Sequence, residues 1–295
     1  MANILDTSKR SQILSMLVEG MSMRSVSRIT GVSINTVSKL LIDAGNACGE
    51  YHDKTVRNVK SKRIQCDEIW SFVGAKQKNV KKMKVPVNGA GDVWTWTALD
   101  ADSKLIVSYL VGGRDATYAD AFMQDVGERL ATRVQLTTDG HKAYLEAVEG
   151  AFGADVDYAQ LIKIYGNSNE SSKGRYSPAE CTGTKKRSVE GEPDKKHVST
   201  SYVERMNLNI RMGNRRFTRL TNAFSKKIDN HLHMLSLYFV HYNFCRIHTS
   251  LKVSPAMAAG VSDVLYDMEW IVGLIDARMP ELKKRGSYKK KDISN

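Results

Sequence analysis

Paired cysteines are missing from this chain. Its four thiols, Cys48, Cys66, Cys181 and Cys245, are scattered and show no CxxC spacing. That excludes a zinc ribbon and a disulfide framework, and it suits a reducing cytoplasm. Long apolar runs are missing too. The nearest candidate, FVHYNFC, is too short and too polar to span a membrane. The first residues, MANILDTSKRSQIL, lack a signal-peptide apolar core. No HExxH motif accompanies the crowded histidines His231, His233, His241 and His248, so they read as a polar helix face rather than a zinc site. Acidic charge is short: Asp+Glu is 32 against Lys+Arg of 44, a formal charge of +12. A chain this basic meets a polyanion, with nucleic acid the first expectation.

What is present is ordinary in bulk. The hydrophobic fraction is 42% over 295 residues, enough for a sizeable core and for two units. Residues 1–48 read as a helix-turn-helix domain. Ile13, Leu14, Leu17 and Val18 mark a first helix that Gly20 ends. A second follows, with Val26 and Ile29 inward. Gly31 makes the turn, and Ser33 caps a third helix bearing Val37, Leu40 and Leu41. On this pattern Asn35, Thr36 and Lys39 face outward, where a recognition helix meets DNA. Residues 49–62, polar and basic, read as a linker.

Residues 63–250 read as a mixed α/β core. RIQCDEIWSFV, VWTWTALDA, KLIVSYLVG, VQLTTD and YAQLIKIYG carry strand signals, the second and third joined as a hairpin. Helical spacing runs over TYADAFMQDVGERLA, HKAYLEAVEGAF and SYVERMNLNIRM, and resumes through Phe224, Ile228, Leu232, Leu235 and Phe239. The order suits a ribonuclease-H-like fold: a five-stranded mixed sheet with flanking helices. Residues 167–197 have no period and read as a flexible insertion or flap. Residues 251–295 read as a helical extension with a basic tail.

Three acids sit where a metal-dependent nuclease needs them. Asp67 interrupts an apolar strand, and a buried carboxylate of that kind calls for a cation. Asp139 ends a strand, where open α/β sheets bind ligands; a TDG turn with Asp as helix cap explains it equally. Glu204 shares a helix face with Asn207, Leu208 and Arg211, and pairing with an arginine is its bland alternative. If the three converge, they form an oxygen cage for two Mg²⁺ or Mn²⁺ ions, the equipment for phosphodiester chemistry. Glu68 competes as a ligand, but strand alternation puts it on the opposite face from Asp67, so it is expected to point away. Lys76, Lys78, Lys81 and Lys82, with Arg211, Arg215, Arg216 and Arg219, are expected to neutralise phosphates.

DEIWSFVGAK, TTDGHKAY and VERMNLNIRMGNRRFTRLTNAFSKK together resemble the DDE transposases of the Insertion Sequence One family. YNFCRIHTSLKVSPAMAAG is similar to the close of many transposase and integrase cores. The resemblance implies an RNase-H-like core with a DDE triad at Asp67, Asp139 and Glu204, and a supporting histidine at His231. It implies cleavage and strand transfer at terminal inverted repeats, acting on double-stranded DNA as at least a dimer. Two features depart from the family: no N-terminal zinc finger can be built from these cysteines and histidines, and the 167–197 stretch is long. The expectation is therefore a DNA transposase. The alternatives are an inactive or domesticated DNA-binding regulator and a structure-specific nuclease with the same core.

Overall fold

A computed structural model describes residues 4–85, 87–166, 181–218 and 221–279. Helices α1 (Thr7–Val18) and α2 (Met23–Thr30) are capped by Asp6 and Ser22, whose side chains accept from backbone N–H groups one turn on. Gly20 and Gly31, both at positive φ, close them. Gly20 is confined further: a Cβ there would meet the Met212 carbonyl oxygen at 2.8 Å. Helix α3 (Ile34–Thr55), capped by Ser33, runs through residues 49–55, which the polar composition assigns to a linker. Burial along one face explains this: Ala44, Ala47, Cys48 and His52 continue the stripe that Val37, Leu40 and Leu41 begin. Ile29, expected inward, is 59% exposed, and Val26 alone of α2 is buried.

The sheet begins with β1 (Arg63–Val73), followed by the short helix α4 (Gln77–Val80), β2 (Gly91–Asp100) and β3 (Ile106–Gly112). Helix α5 (Ala116–Arg129), β4 (Val134–Asp139), α6 (Ala143–Phe152) and β5 (Val156–Tyr165) come next. Strand β6 (Cys181–Glu190) precedes α7 (Ser201–Gly213) and α8 (Ile228–Val240). A π-helical turn (His241–Cys245), α9 (Pro255–Ala258) and α10 (Met268–Ala277) complete the described chain. Phe224 thus lies ahead of α8 rather than on its apolar face.

The strand order is β3-β2-β1-β4-β5-β6. β1, β2 and β3 are an antiparallel meander, β4 and β5 run parallel to β1, and β6 returns antiparallel along β5. The sheet is therefore six-stranded, not five-stranded. The additional strand comes from the 167–197 stretch read as a flap; residues 167–180 of it lie outside the described set, as does the basic tail. β6 carries no apolar alternation because it is an exposed edge, where Lys185, Lys186 and Arg187 discourage further pairing.

Helices cover both faces of the sheet. On one, Trp96 meets Phe122 of α5 and Tyr144 of α6 at ring separations of 5.8 and 5.4 Å. On the other, Tyr109 of β3 packs on Phe239 of α8 at 4.6 Å, and its hydroxyl donates to Ser236. α3 packs across α8 so closely that a Cβ on Gly45 would lie 2.4 Å from the His233 Cα. Arg10 of α1 makes two bonds to Asp276 of α10, at 2.5 and 2.9 Å. The N-terminal helices thus share one continuous apolar core with the sheet layer and with α10.

Candidate metal centre

β1 is the switch point of the sheet. On one side it pairs antiparallel with β2 and on the other parallel with β4, and the β4 pairing ends at Gln65–Thr137. Two residues further, at the carboxyl end of β4, the strands part and leave the kind of crevice where α/β sheets hold ligands. Asp67 and Asp139 flank that opening at equivalent positions of the two strands.

Strand alternation sends Asp67 toward α7 and Glu68 toward the α5–α6 layer. α7 is docked by Gln65, whose side-chain oxygen accepts from the backbone N–H groups of Tyr202 and Val203 at 2.9 and 3.2 Å. This places Asn207 over Asp67, where its amide donates to Oδ2 at 2.8 Å. The other Asp67 oxygen accepts from the Glu68 N–H at 2.9 Å. Asp139 Oδ1 accepts from the His141 N–H at 2.9 Å, so Asp139 holds the turn its sequence allows but does not cap α6, whose N-cap is Lys142.

The expectation that Glu68 stays away from the site is corrected here. Asp67, Glu68 and Asp139 each offer a carboxylate oxygen, and all three oxygens lie within 4.8 Å of one another. Glu68 reaches Asp139 because Asp139 sits at a strand end, open to both faces of the sheet. Arg114, from the loop between β3 and α5, lies over the pair, 3.0 Å from Glu68 Oε1 and 3.6 Å from Asp139 Oδ2. Glu68 Oε2 is buried and has no hydrogen-bond partner.

Glu204 stands at the rim, on the same helix as Asn207. Its carboxylate accepts from Thr200 Oγ1 and pairs with Lys163 of β5 at 2.6 Å. It lies outside the tight group of three, yet its charge and that of Lys163 both act on Asp67. Burial, then the charge of Asp139, push the Asp67 carboxyl up to about 6. The same two causes push Glu68 up to about 7, against the pull of Arg114. A divalent cation would relieve both strains. The donors are hard oxygens only, which fits Mg²⁺ or Mn²⁺ better than zinc. The buried, unpartnered Glu68 oxygen is a further point of fit.

The remaining candidates scatter. His231 is fully buried beside Ser71, near the far end of β1; its nitrogens face Ser225 and Ser71 hydroxyls at 2.9 and 3.4 Å. Burial, with Arg216 nearby, drops it to about 3, so it is a neutral packing group at the position where support for the acids was expected. Asn35, Thr36 and Lys39 are exposed on the first turns of α3, and Lys39 pairs with Asp43 at 2.7 Å. Lys76 lies 5.6 Å over the Trp70 ring, and Lys78, Lys81 and Lys82 are exposed beside it. Arg215 is exposed and Arg211 half-buried. Arg216 is not a free surface cation: it turns inward between Met23 and Ser225. Arg219 lies outside the described residues. Arg114 and Lys163 carried no motif that could have singled them out. Asn207 did have a signal, its i+3 spacing from Glu204.

No protein-family model matches the chain, and no curated protein does. Among solved structures, a piggyBac transposase synaptic complex with hairpin DNA overlaps 94% of this chain and 73% of its own, at 10% identity and a TM-score of 0.42. A Mos1 transposase paired-end complex with the left transposon end overlaps 50% of this chain and 58% of its own, at 13% identity and a TM-score of 0.21. Neither superposition is close enough to transfer a residue or an activity. The functional reading rests on the acids.

Proposed function

We propose that this protein is a metal-dependent DNA strand-cleaving and strand-transferring enzyme, a DDE-type transposase. One observation carries the reading: Asp67, Glu68 and Asp139 converge at the carboxyl end of β4 with Glu204 on the adjacent helix. The formal charge of +12 and the motif resemblance direct that chemistry to DNA.

Asp67, Asp139 and Glu204 would hold two Mg²⁺ or Mn²⁺ ions, with Glu68 as a further ligand. When bound, the ions supply activation of the attacking oxygen and neutralisation of charge on phosphorus. The protein's own groups do the rest. Asn207 orients Asp67, and the His141 N–H orients Asp139. Lys163 and Arg114 hold the acids together against their mutual repulsion. Both cations are about one-third exposed on the side chain, so they can turn to a phosphate. Water first hydrolyses a phosphodiester and frees a 3′-hydroxyl; that hydroxyl then attacks the phosphorus of a target phosphodiester, whose own 3′-oxygen leaves as a hydroxyl. This transesterification needs neither ATP nor a covalent protein–DNA link. Asn35, Thr36 and Lys39 would read the terminal repeats, and the lysines of residues 76–84 would follow the backbone. Joining two ends requires at least a dimer.

The test is the single substitutions Asp67→Asn, Asp139→Asn and Glu204→Gln. Mg²⁺-dependent nicking and strand transfer on DNA carrying the element's inverted repeats should fall more than about 100-fold in each. Retained activity removes that residue from the triad. Metal-dependent cutting of branched DNA without such ends would make the protein a structure-specific nuclease instead.

A further inference from the structure

A cavity of about 660 Å³ opens between the α1–α2 turn and residues 214–216 and 221–226, which lie between α7 and α8. Its wall is apolar, with Met21, Met23, Phe224 and Met234. Its rim is cationic, with Arg24, Arg215, Arg216 and Lys226, and no carboxylate lines it among the described residues. Among the described residues Arg216 donates to neutral atoms, Ser225 Oγ at 3.3 Å and Met23 Sδ at 3.7 Å. Burial lowers it to about 10, leaving it a charged guanidinium near neutral pH. Burial, then repulsion by the nearby Arg24, lower Lys226. Arg24, Arg215 and Lys226 are exposed, but the guanidinium of Arg216 is withdrawn from water beside them, and an anion seated in the cavity would offset that desolvation.

We propose that this cavity binds one unpaired nucleotide of a DNA strand, its base against Phe224 and the methionines and its phosphates on Arg24, Arg215, Arg216 and Lys226. Phe224 is held by Phe72 at a ring separation of 4.7 Å, and Lys226 lies 3.5 Å over its ring. A base stacked there outcompetes an exposed cation–ring contact and frees Lys226 for the phosphate. The volume is in the range of ligand sites that enclose a nucleotide-sized group. The chain's own C-terminal segment is a poor occupant, since Lys283, Lys284, Arg285, Lys289, Lys290 and Lys291 repeat the charge of the rim. The location also serves the acids. α7 spans ten residues from Glu204 to its cap Asn214, about 15 Å. At about 3.4 Å per phosphate, a strand seated here reaches the metal centre in four to five nucleotides.

This inference rests on the DNA-enzyme reading, and binding measured in EDTA separates the two. The probes are a fluorescein-labelled DNA duplex and the same duplex with one bulged 2-aminopurine. Wild-type protein should bind the bulged duplex roughly tenfold more tightly and quench the 2-aminopurine. Phe224→Ala should bring the ratio of the two affinities close to one. Arg24→Gln combined with Lys226→Gln, at surface positions with little bearing on folding, should weaken bulged DNA more than duplex. Equal affinities in the wild type, or a ratio unmoved by these variants, overturns the cavity and leaves the proposed function standing. Absence of binding to either DNA overturns both.

Discussion

Glu68 is the residue whose role the structure changes most. Neighbouring strand residues face opposite sides, so a paired metal ligand and bystander is the default at an Asp-Glu dipeptide. Here Asp139 occupies a strand end where both sides meet, and Glu68 contributes from the second face. Arg114 is the counter-charge that makes this tolerable without metal, bridging Glu68 and Asp139 at 3.0 and 3.6 Å. Arg114→Gln is expected to destabilise the metal-free protein by about 1–2 kcal/mol, discounted because the guanidinium is partly exposed. The melting temperature in EDTA should drop by a few degrees, while the rise produced by Mg²⁺ should grow. Unchanged melting in EDTA would show that Arg114 does not hold the acids together.

Among the elements, the α3–α8 seam governs how the N-terminal helices attach to the core. Gly45 lets the two helices approach to a distance that no side chain permits, with the His233 Cα 2.4 Å from where a Cβ would be. Backbone cannot yield as a flexible side chain can, so Gly45→Ala should cost about 1–3 kcal/mol in thermal or urea unfolding. Gly273 in α10 is the control: a Cβ there meets nothing within 4 Å. Gly273→Ala should stabilise by about 0.4–1 kcal/mol through helix propensity and unfolded-state entropy. Equal effects at the two sites would refute the close-approach argument. β6 belongs to this scale too. Its ten residues are a strand only because β5 offers an edge to pair with, and nothing in their composition demands it.

At the scale of the whole molecule, burial decides the acid limit. His52 lies on the buried face of α3 against β3, with a ring nitrogen 3.1 Å from the Ile106 carbonyl oxygen. Burial, then the nearby Arg129, lower it to about 4. Burial, then Arg246, lower His241 to about 4. Each folded-state value is below the usual 6.5, so the unfolded chain binds more protons between these limits. Stability contributed by the neutral rings is present above about pH 6.5 and is lost as pH falls toward 4. Urea midpoints measured from pH 7 to 4 should fall, and His52→Gln should reduce the slope. A slope identical to that of the wild type would mean that His52 is not held neutral by the fold. Asp67 and Glu68, raised by burial, act in the opposite sense, so the slope is best read with Mg²⁺ saturating.

Much of this protein was legible in its residues. The apolar stripes of α1 and α3, the caps at Ser33 and Gly31, and the bounds of β1 and β4 follow from periodicity, capping and turn chemistry, which act over a few neighbours. Asp67 and Asp139 were legible for the same reason, as charges at a strand interior and a strand end. The sequence by itself determined most of the elements, the basic charge and the acids available. Only the tertiary structure decided that Glu68 joins them, that Arg114 and Lys163 restrain them, that His231 does not touch them, and that residues 181–190 add a sixth strand. Those outcomes depend on which strands end side by side and which helix lies over them. Such contacts join positions tens to more than a hundred residues apart, and no local pattern records them.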